Sequence, residues 1–283
     1  MKTIAVVGVG LIGASFALAV RKAGFRGEIV GVSSSRSIAE GVSAGAINRG
    51  VTLEEAAASA DLIYLSQPID QIIRTLKALG PIVRAGCLVT DAGSTKSAIV
   101  NTALEHVHRA SFIGGHPMAG KEQRGAAAAD ANLFRGRPYV LTPMNRAESL
   151  QHLIDILNSI GAEVIEMSPE RHDETVALTS HLPQVLSTTL ASFLNSHKSE
   201  DMLRVFGPGL VDMTRLALST PDVWVSILET NKPAVLKAMT LFEAKMGDVR
   251  KKLESGELAA DFEQGAQFAA RMRKVDRNSP YEK

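Results

Sequence analysis

Three glycines near the N-terminus constrain this chain more than any other feature. Gly8, Gly10 and Gly13 stand in G-x-G-x-x-G spacing, after an apolar strand-like run at 4–7 and before a helical stretch at 15–23. Each glycine answers a separate physical need. One permits a tight turn, one lets the backbone approach a pyrophosphate, and one lets helix and strand pack closely. The following helix N-terminus then offers unpaired N–H groups and a partial positive charge to phosphates. Leu11 and Ile12, inside the turn, join the glycines as expected cofactor-binding positions. A signal peptide is the rival reading, since Lys2 precedes apolar residues at 4–20. That run is about 17 residues, short of the ~20 that span a bilayer. It carries three glycines and Ser15, with no small-residue cleavage pattern after it.

Composition narrows the class. The chain has 283 residues and is 45% hydrophobic, enough for one large or two ordinary domains with a sizeable core. Lys and Arg number 31 against 30 Asp and Glu, so no net field favours nucleic acid or an acidic membrane surface. Cys87 is the single cysteine, which excludes an intrachain disulfide and makes a reducing cytoplasm the expected compartment. No Cys/His cluster has zinc spacing, and no metal is expected.

Strand-like runs at 4–7, 28–32, 62–66, 88–90, 112–114, 139–142 and 163–166 are interleaved with helical patterns at 15–23, 38–44, 69–79, 97–107 and 148–160. This alternation predicts an α/β fold, a Rossmann-type parallel sheet with helices on both faces and ligands at the carboxyl ends of its strands. Ser168 and Pro169 then read as a helix start, and helical periodicity continues to Arg273. The expected organisation is a dinucleotide-binding domain over 1–166 and an all-helical domain over 167–283. Stretches at 182–193 and 223–246 are too apolar for ordinary surface helices. Burial against a partner subunit and burial within one subunit explain them equally well.

Cofactor choice is read at the end of the second strand, where an NAD enzyme usually places an acid for the ribose hydroxyl. Here stand Ser33, Ser34, Ser35 and Arg36, with no carboxylate between Glu28 and Glu40. Hydroxyls and a guanidinium suit a 2′-phosphate, which a carboxylate would repel. NADP is therefore favoured over NAD; the bland reading is a serine-rich turn with a solvated arginine. Gln67 and Pro68 after the strand at 62–66, and Asp91 after the strand at 88–90, lie at the edge expected to face the cofactor.

Three further segments carry chemistry. D-A-G-S-T-K runs from Asp91 through Ser94 to Lys96, where Lys96 and Ser97 also read as a simple helix opening. G-G-H-P-M-A-G places His116 between glycines and Pro117, which restrict the backbone and leave room for a ligand. A loop histidine with a satisfied hydrogen bond is the competing account. S-H-L-P contains His181, for which the residues alone favour a buried structural histidine. Asp212 and Arg215 follow in an apolar setting, and a buried guanidinium there needs an anion, either Asp212 or a substrate carboxylate.

In this order, these motifs resemble the prephenate/arogenate dehydrogenase family of tyrosine biosynthesis over nearly the whole chain. The resemblance implies oxidative decarboxylation of prephenate or arogenate with hydride transfer to NAD(P)+. It implies that His116 takes the proton of the substrate's ring hydroxyl, that Ser94 orients that histidine, and that Arg215 grips a substrate carboxylate. It sets His181 near the active site, and Glu122 with Lys121 at the site entrance. It also implies a homodimer formed through the helical domain. Two alternatives compete: a β-hydroxyacid dehydrogenase, which needs a catalytic lysine such as Lys198, Lys232, Lys237 or Lys245, and a non-catalytic dinucleotide sensor, which needs no base.

Overall fold

The computed structural model describes residues 1–121, 123–144, 148–197 and 200–275. Glu122, Lys198 and the tail at 276–283 fall outside the described residues. The chain divides into two compact units, Met1–Lys232 and Pro233–Lys283.

The first unit is built on an eight-stranded sheet in the order β3-β2-β1-β4-β5-β6-β7-β8. Its strands are β1 (Thr3–Val7), β2 (Glu28–Val32), β3 (Arg49–Gly50), β4 (Leu62–Leu65), β5 (Leu88–Asp91), β6 (Ser111–Pro117), β7 (Pro138–Thr142) and β8 (Glu163–Glu166). All neighbours pair in parallel except β6 and β7, which run antiparallel from Gly114↔Thr142 to Pro117↔Tyr139. The all-parallel expectation fails at that one pair. A parallel pair needs a crossover, usually helical, and between β6 and β7 the described residues form only the short 3₁₀ turn Ala126–Ala128.

Alternation along β1 builds two cores. Ile4 and Val6 face one side with Phe16, Val20 and Tyr64, whereas Ala5 and Val7 face the other with Ile63, Ile72, Leu76 and Ile99. Both faces are covered, so the central strands read as continuous apolar runs rather than alternating ones. The helices α1 (Leu11–Lys22), α2 (Ser35–Ser43), α3 (Leu53–Ser59), α4 (Ile69–Leu79), α5 (Ser97–His106) and α6 (Glu148–Ser159) connect the strands. The sequence patterns omit α3, although its capping box was present: Thr52 accepts the Glu55 N–H, and Glu55 answers the Thr52 N–H.

Structure becomes all-helical from Pro169. Helix α7 (Pro169–Val176) starts behind a Ser168 cap and runs through a π turn, Ala177–His181, into α8 (Leu182–Ser196). Pro183 is tolerated because it lies in the first turn of α8. Helices α9 (Pro208–Thr214) and α10 (Pro221–Thr230) complete the unit. The second unit carries most of α11 (Lys232–Ser255) and α12 (Ala259–Val275), tied to each other by Lys245 and Lys252 on Asp261. Many apolar side chains of the helical half lie open in the single chain, among them Leu203, Val205 and Leu218 in the first unit and Phe262 and Val275 in the second. The apolar stretches at 182–193 and 223–246 are divided: Leu182 and Ile227 are buried within the chain, whereas Phe193, Val225 and Leu241 are exposed. No helix among the described residues is long and apolar enough to cross a membrane.

Helix α1 begins at Leu11, inside the glycine motif and earlier than the sequence pattern suggests. A Cβ built on Gly13 would sit 2.4 Å from both the Gly8 carbonyl oxygen and Ser66 Oγ. Gly13→Ala is therefore expected to destabilise the protein by about 1–3 kcal/mol through overpacking. Urea unfolding measures this, and an unchanged midpoint would refute the close approach.

Candidate active site

Strands β1, β4 and β5 end on one side of the sheet, and the loops that follow them meet there with the last residues of β6. Gly8 adopts φ +96°, which L side chains avoid, and its N–H donates to the Val32 carbonyl at 2.9 Å. Ser66 Oγ donates to the Gly8 carbonyl at 2.8 Å and holds the turn against β4. Gly10 caps α1 without any side-chain hydrogen bond. A Cβ added at Gly10 would meet nothing within 4 Å. Uncapped N–H groups of the first turn beside open space form the cradle a pyrophosphate requires. Leu11 and Ile12 form the start of that turn. The residues present therefore fit a dinucleotide.

Ser33, Ser34, Ser35 and Arg36 are all exposed just beyond β2. Ser34 is partly committed, because its Oγ accepts the Ser37 N–H and caps α2. Arg36 pairs with Glu40 through Nε at 2.9 Å. Gln67 Oε1 accepts the Thr75 hydroxyl at 2.8 Å, and Pro68 stands at the N-cap of α4.

Asp91 departs from the expectation that it faces the cofactor. It is wholly buried, and its carboxylate accepts the Lys96 ammonium, the Gly93 N–H at 2.8 Å and the Gly115 N–H at 3.0 Å. Lys96, also wholly buried, donates again to the Gly115 carbonyl at 2.6 Å. Burial pulls the Lys96 ammonium below its ordinary range, against the opposing pull of Asp91. Lys96 is thus no mere helix opener. It staples the loop after β5 to β6.

His116 lies next in β6 and is 8% exposed. Its Nδ1 is 2.8 Å from His172 Nε2, and His172 Nδ1 is 2.8 Å from Asp173 Oδ1. Asp173 also accepts the Lys96 N–H at 2.7 Å and the Ser97 N–H at 2.9 Å. Burial alone would raise the Asp173 carboxyl, but these hydrogen bonds outweigh it and hold the group low. Burial, with the nearby His172, Lys96 and His181, keeps His116 well below the usual histidine range. His116 is therefore neutral at physiological pH, as a general base must be.

His181 is buried too, with Nδ1 3.2 Å from Asn231 Nδ2 and its ring edge-on to Trp224. Burial lowers its pKa to about 4. Asn231 also donates to the Asp173 carbonyl, which ties the end of α10 to α7. Ser94 is half-buried in the turn beside this network, and none of the described residues hydrogen-bonds its hydroxyl. Arg215 corrects the expectation of a buried guanidinium. It is exposed, as is Asp212, and the two form no ion pair. Its turn is nevertheless anchored: Gln184 donates to the Leu216 carbonyl at 2.8 Å, and Ser187 accepts the Ala217 N–H at 3.2 Å. Lys121 pairs with Asp130 at 2.8 Å. Lys232 and Lys245, two of the lysines a β-hydroxyacid mechanism would call on, sit in surface ion pairs.

Comparison with known proteins meets this geometry directly. A family model for the prephenate dehydrogenase nucleotide-binding domain matches residues 16–166, and one for the prephenate dehydrogenase dimerization domain matches residues 168–270. The chain belongs to the prephenate dehydrogenase family. The prephenate dehydrogenase of Lactococcus lactis is 35% identical over 96% of this chain and 78% of its own. A crystal structure of prephenate dehydrogenase from Aquifex aeolicus, in complex with hydroxyphenyl propionate and NAD+, superposes with TM-score 0.89 at 31% identity, covering 98% of this chain and 99% of that one. Arogenate dehydrogenase from Synechocystis does so with TM-score 0.82 at 30% identity, over 96% and 99%. The activity is accordingly oxidative decarboxylation of a cyclohexadienyl substrate with NAD(P)+, in tyrosine biosynthesis.

Family membership leaves unexplained how much of this site the sequence concealed. His172, Asp173 and Asn231 carry no motif. His172 and Asp173 lie early in α7, whose Ser168–Pro169 start the sequence did predict, but nothing local showed that these residues would meet β6 and α5.

Two depressed histidines set a pH dependence. Below about pH 6.5 the unfolded chain binds protons that folded His116 and His181 refuse. Stability is thus complete above pH 6.5 and is lost as pH falls toward 4, by at most about 1.4 kcal/mol per pH unit for each group. Urea midpoints from pH 7.5 to 4.5 measure the loss, and His181→Gln should flatten it. An unchanged slope in that variant would contradict the assignment.

Proposed function

We propose that His116 is the general base of the reaction, acting on a cyclohexadiene that carries a hydroxyl and, across the ring, a carboxylate. The observation that carries this reading is a buried histidine held neutral at the end of β6, on the same sheet edge as the glycine turn. Bound NAD(P)+ supplies the hydride acceptor. His116 withdraws the hydroxyl proton as the carbinol carbon is oxidised, and loss of carbon dioxide then aromatises the ring. Arg215 grips a substrate carboxylate; its exposure in the single chain leaves it available to do so. It must not over-stabilise the carboxylate that departs, since only differential binding accelerates the step. Ser94 orients the hydroxyl and His116, His181 lines the substrate side, and Lys121 stands at the entrance.

Gly8, Gly10, Leu11, Ile12 and Gly13 cradle the pyrophosphate, with Gln67 and Pro68 alongside. NADP is the favoured cofactor, supported by Arg36 and the absence of any carboxylate between Glu28 and Glu40. Residues 1–166 hold the dinucleotide, and residues 167–283 complete the substrate site and pair two copies through their open apolar side chains. The single cysteine and the biosynthetic role support a cytoplasmic setting.

A spectrophotometric assay crossing prephenate and arogenate with NADP and NAD tests the reading. Reduced cofactor should appear with at least one substrate and with a lower KM for NADP; a clear preference for NAD would overturn the cofactor assignment. His116→Asn should lower kcat by about 10²–10⁴-fold, the usual loss for a general base, with substrate KM largely kept. Near-normal turnover would remove His116 from its role.

A further inference from the structure

We propose that His172 and Asp173 are positioning residues that lock His116 in its Nδ1–H tautomer and so make Nε2 the nitrogen that takes the substrate proton. This rests on the reading of His116 as the base, and it states which of two chemically different nitrogens is basic and why.

Asp173 sets the direction of every hydrogen bond in this relay. Its two oxygens accept three N–H groups: Oδ1 from Lys96 and His172, and Oδ2 from Ser97. A carboxylate surrounded by donors is ionised and can only accept. It also sits at the N-terminus of α5, whose own N-cap residue Lys96 provides no side-chain cap, so the helix dipole favours the negative charge. His172 Nδ1 must therefore carry a proton. In a neutral imidazole the other nitrogen is then an acceptor. His172 Nε2 lies 2.8 Å from His116 Nδ1, so His116 Nδ1 is the donor and carries the hydrogen. The lone pair of His116 is left on Nε2. An imidazolium at His172 would donate from Nε2 to His116 Nδ1, which would place the single hydrogen of His116 on Nε2 and leave no lone pair facing the substrate. It would also add a buried cation to a cluster that already holds the Lys96 ammonium.

Burial keeps the relay local. His172 is 0% exposed and Asp173 4%, so solvent does not compete for either group. The charged and titratable groups around His116 are His172 and Asp173 from α7, His181 from the π turn, Asp91 at the end of β5 and Lys96 from the loop after it. When the substrate proton arrives at Nε2, His116 becomes an imidazolium. Its Nδ1–H still points to His172, and Asp173 offsets the positive charge through that ring. No proton leaves His172, and the electron pair of the broken C–H bond goes to the cofactor.

Nitrogen-15 NMR of histidine-labelled full-length protein reads the tautomer directly, without cofactor or substrate. The His116 signals, assigned by their loss in His116→Asn, should show protonated Nδ1 and bare Nε2. In His172→Leu that lock is gone, and the signals should move toward the Nε2–H form. In the same variant kcat should fall by about 10–100-fold, less than loss of the base itself, while cofactor KM stays unchanged. The acid limb of kcat/KM should move to lower pH, because the acceptor that stabilises the His116 imidazolium through Nδ1–H has been removed. His172→Gln, which accepts through Oε1 and donates to Asp173 through Nε2, should restore most of the turnover. An Nε2–H tautomer in the wild-type protein overturns the proposal even if His172→Leu fails to fold. Unchanged tautomer and pH profile in a folded His172→Leu overturn it too. Failure of the base reading is a separate result, namely normal turnover in His116→Asn.

Discussion

Everything chemical in this molecule rests on a buried ion pair, Asp91 with Lys96. Two charges removed from water cost several kcal/mol each, and only good geometry with further hydrogen bonds offsets that. Here the offset is supplied by backbone. Gly93 and Gly115 donate to Asp91, and the Gly115 carbonyl accepts from Lys96. The pair thereby grips Gly115, the residue immediately before His116. Glycine is required at 115, because a Cβ there would come within 2.6 Å of the Asp91 carbonyl oxygen. The position of the base is thus set by electrostatics acting on its neighbour's backbone.

A second buried acid extends the same logic to the helical half. Asp173 accepts the first N–H groups of α5 from across the fold, while Asn231 holds the Asp173 carbonyl and approaches His181. Cap, relay and helix contact are one network, and its partial satisfaction would be costly in so dry a place. Dry surroundings also do chemical work. The burial that makes the network expensive is what keeps His116 and His181 neutral at physiological pH.

Legibility in the sequence followed the range of the physics. The glycine turn, the apolar strands and the Ser168–Pro169 helix start are local, and each appeared near its expected place. Helix α3 was legible through Thr52 and Glu55 but lay between stronger signals. The antiparallel β7 was hidden because direction depends on the path of the connecting segment rather than on any residue within the strand. Asp91 was read as facing a ligand because its loop position suits one; that it turns inward to Lys96 depends on contacts no local pattern encodes. Arg215 erred in the opposite sense. Apolar neighbours suggested burial, but those neighbours, Met213 and Leu218 among them, are themselves exposed in the single chain.

By itself, the sequence determined that a strand, a glycine turn and a helix would cradle a dinucleotide, that alternating elements would stack into a covered sheet, and that His116 would stand near its edge. These follow from backbone sterics and from periodicities of 2 and 3.6, which act over a few residues. Tertiary structure alone decided the protonation and surroundings of His116. It brought His172 and Asp173, 56 and 57 positions further along the chain, into line with it. It also buried Lys96 against Asp91. A histidine's basic nitrogen and its pKa are set by what the other nitrogen touches and by how much water remains, and both come from residues that only the folded chain brings together.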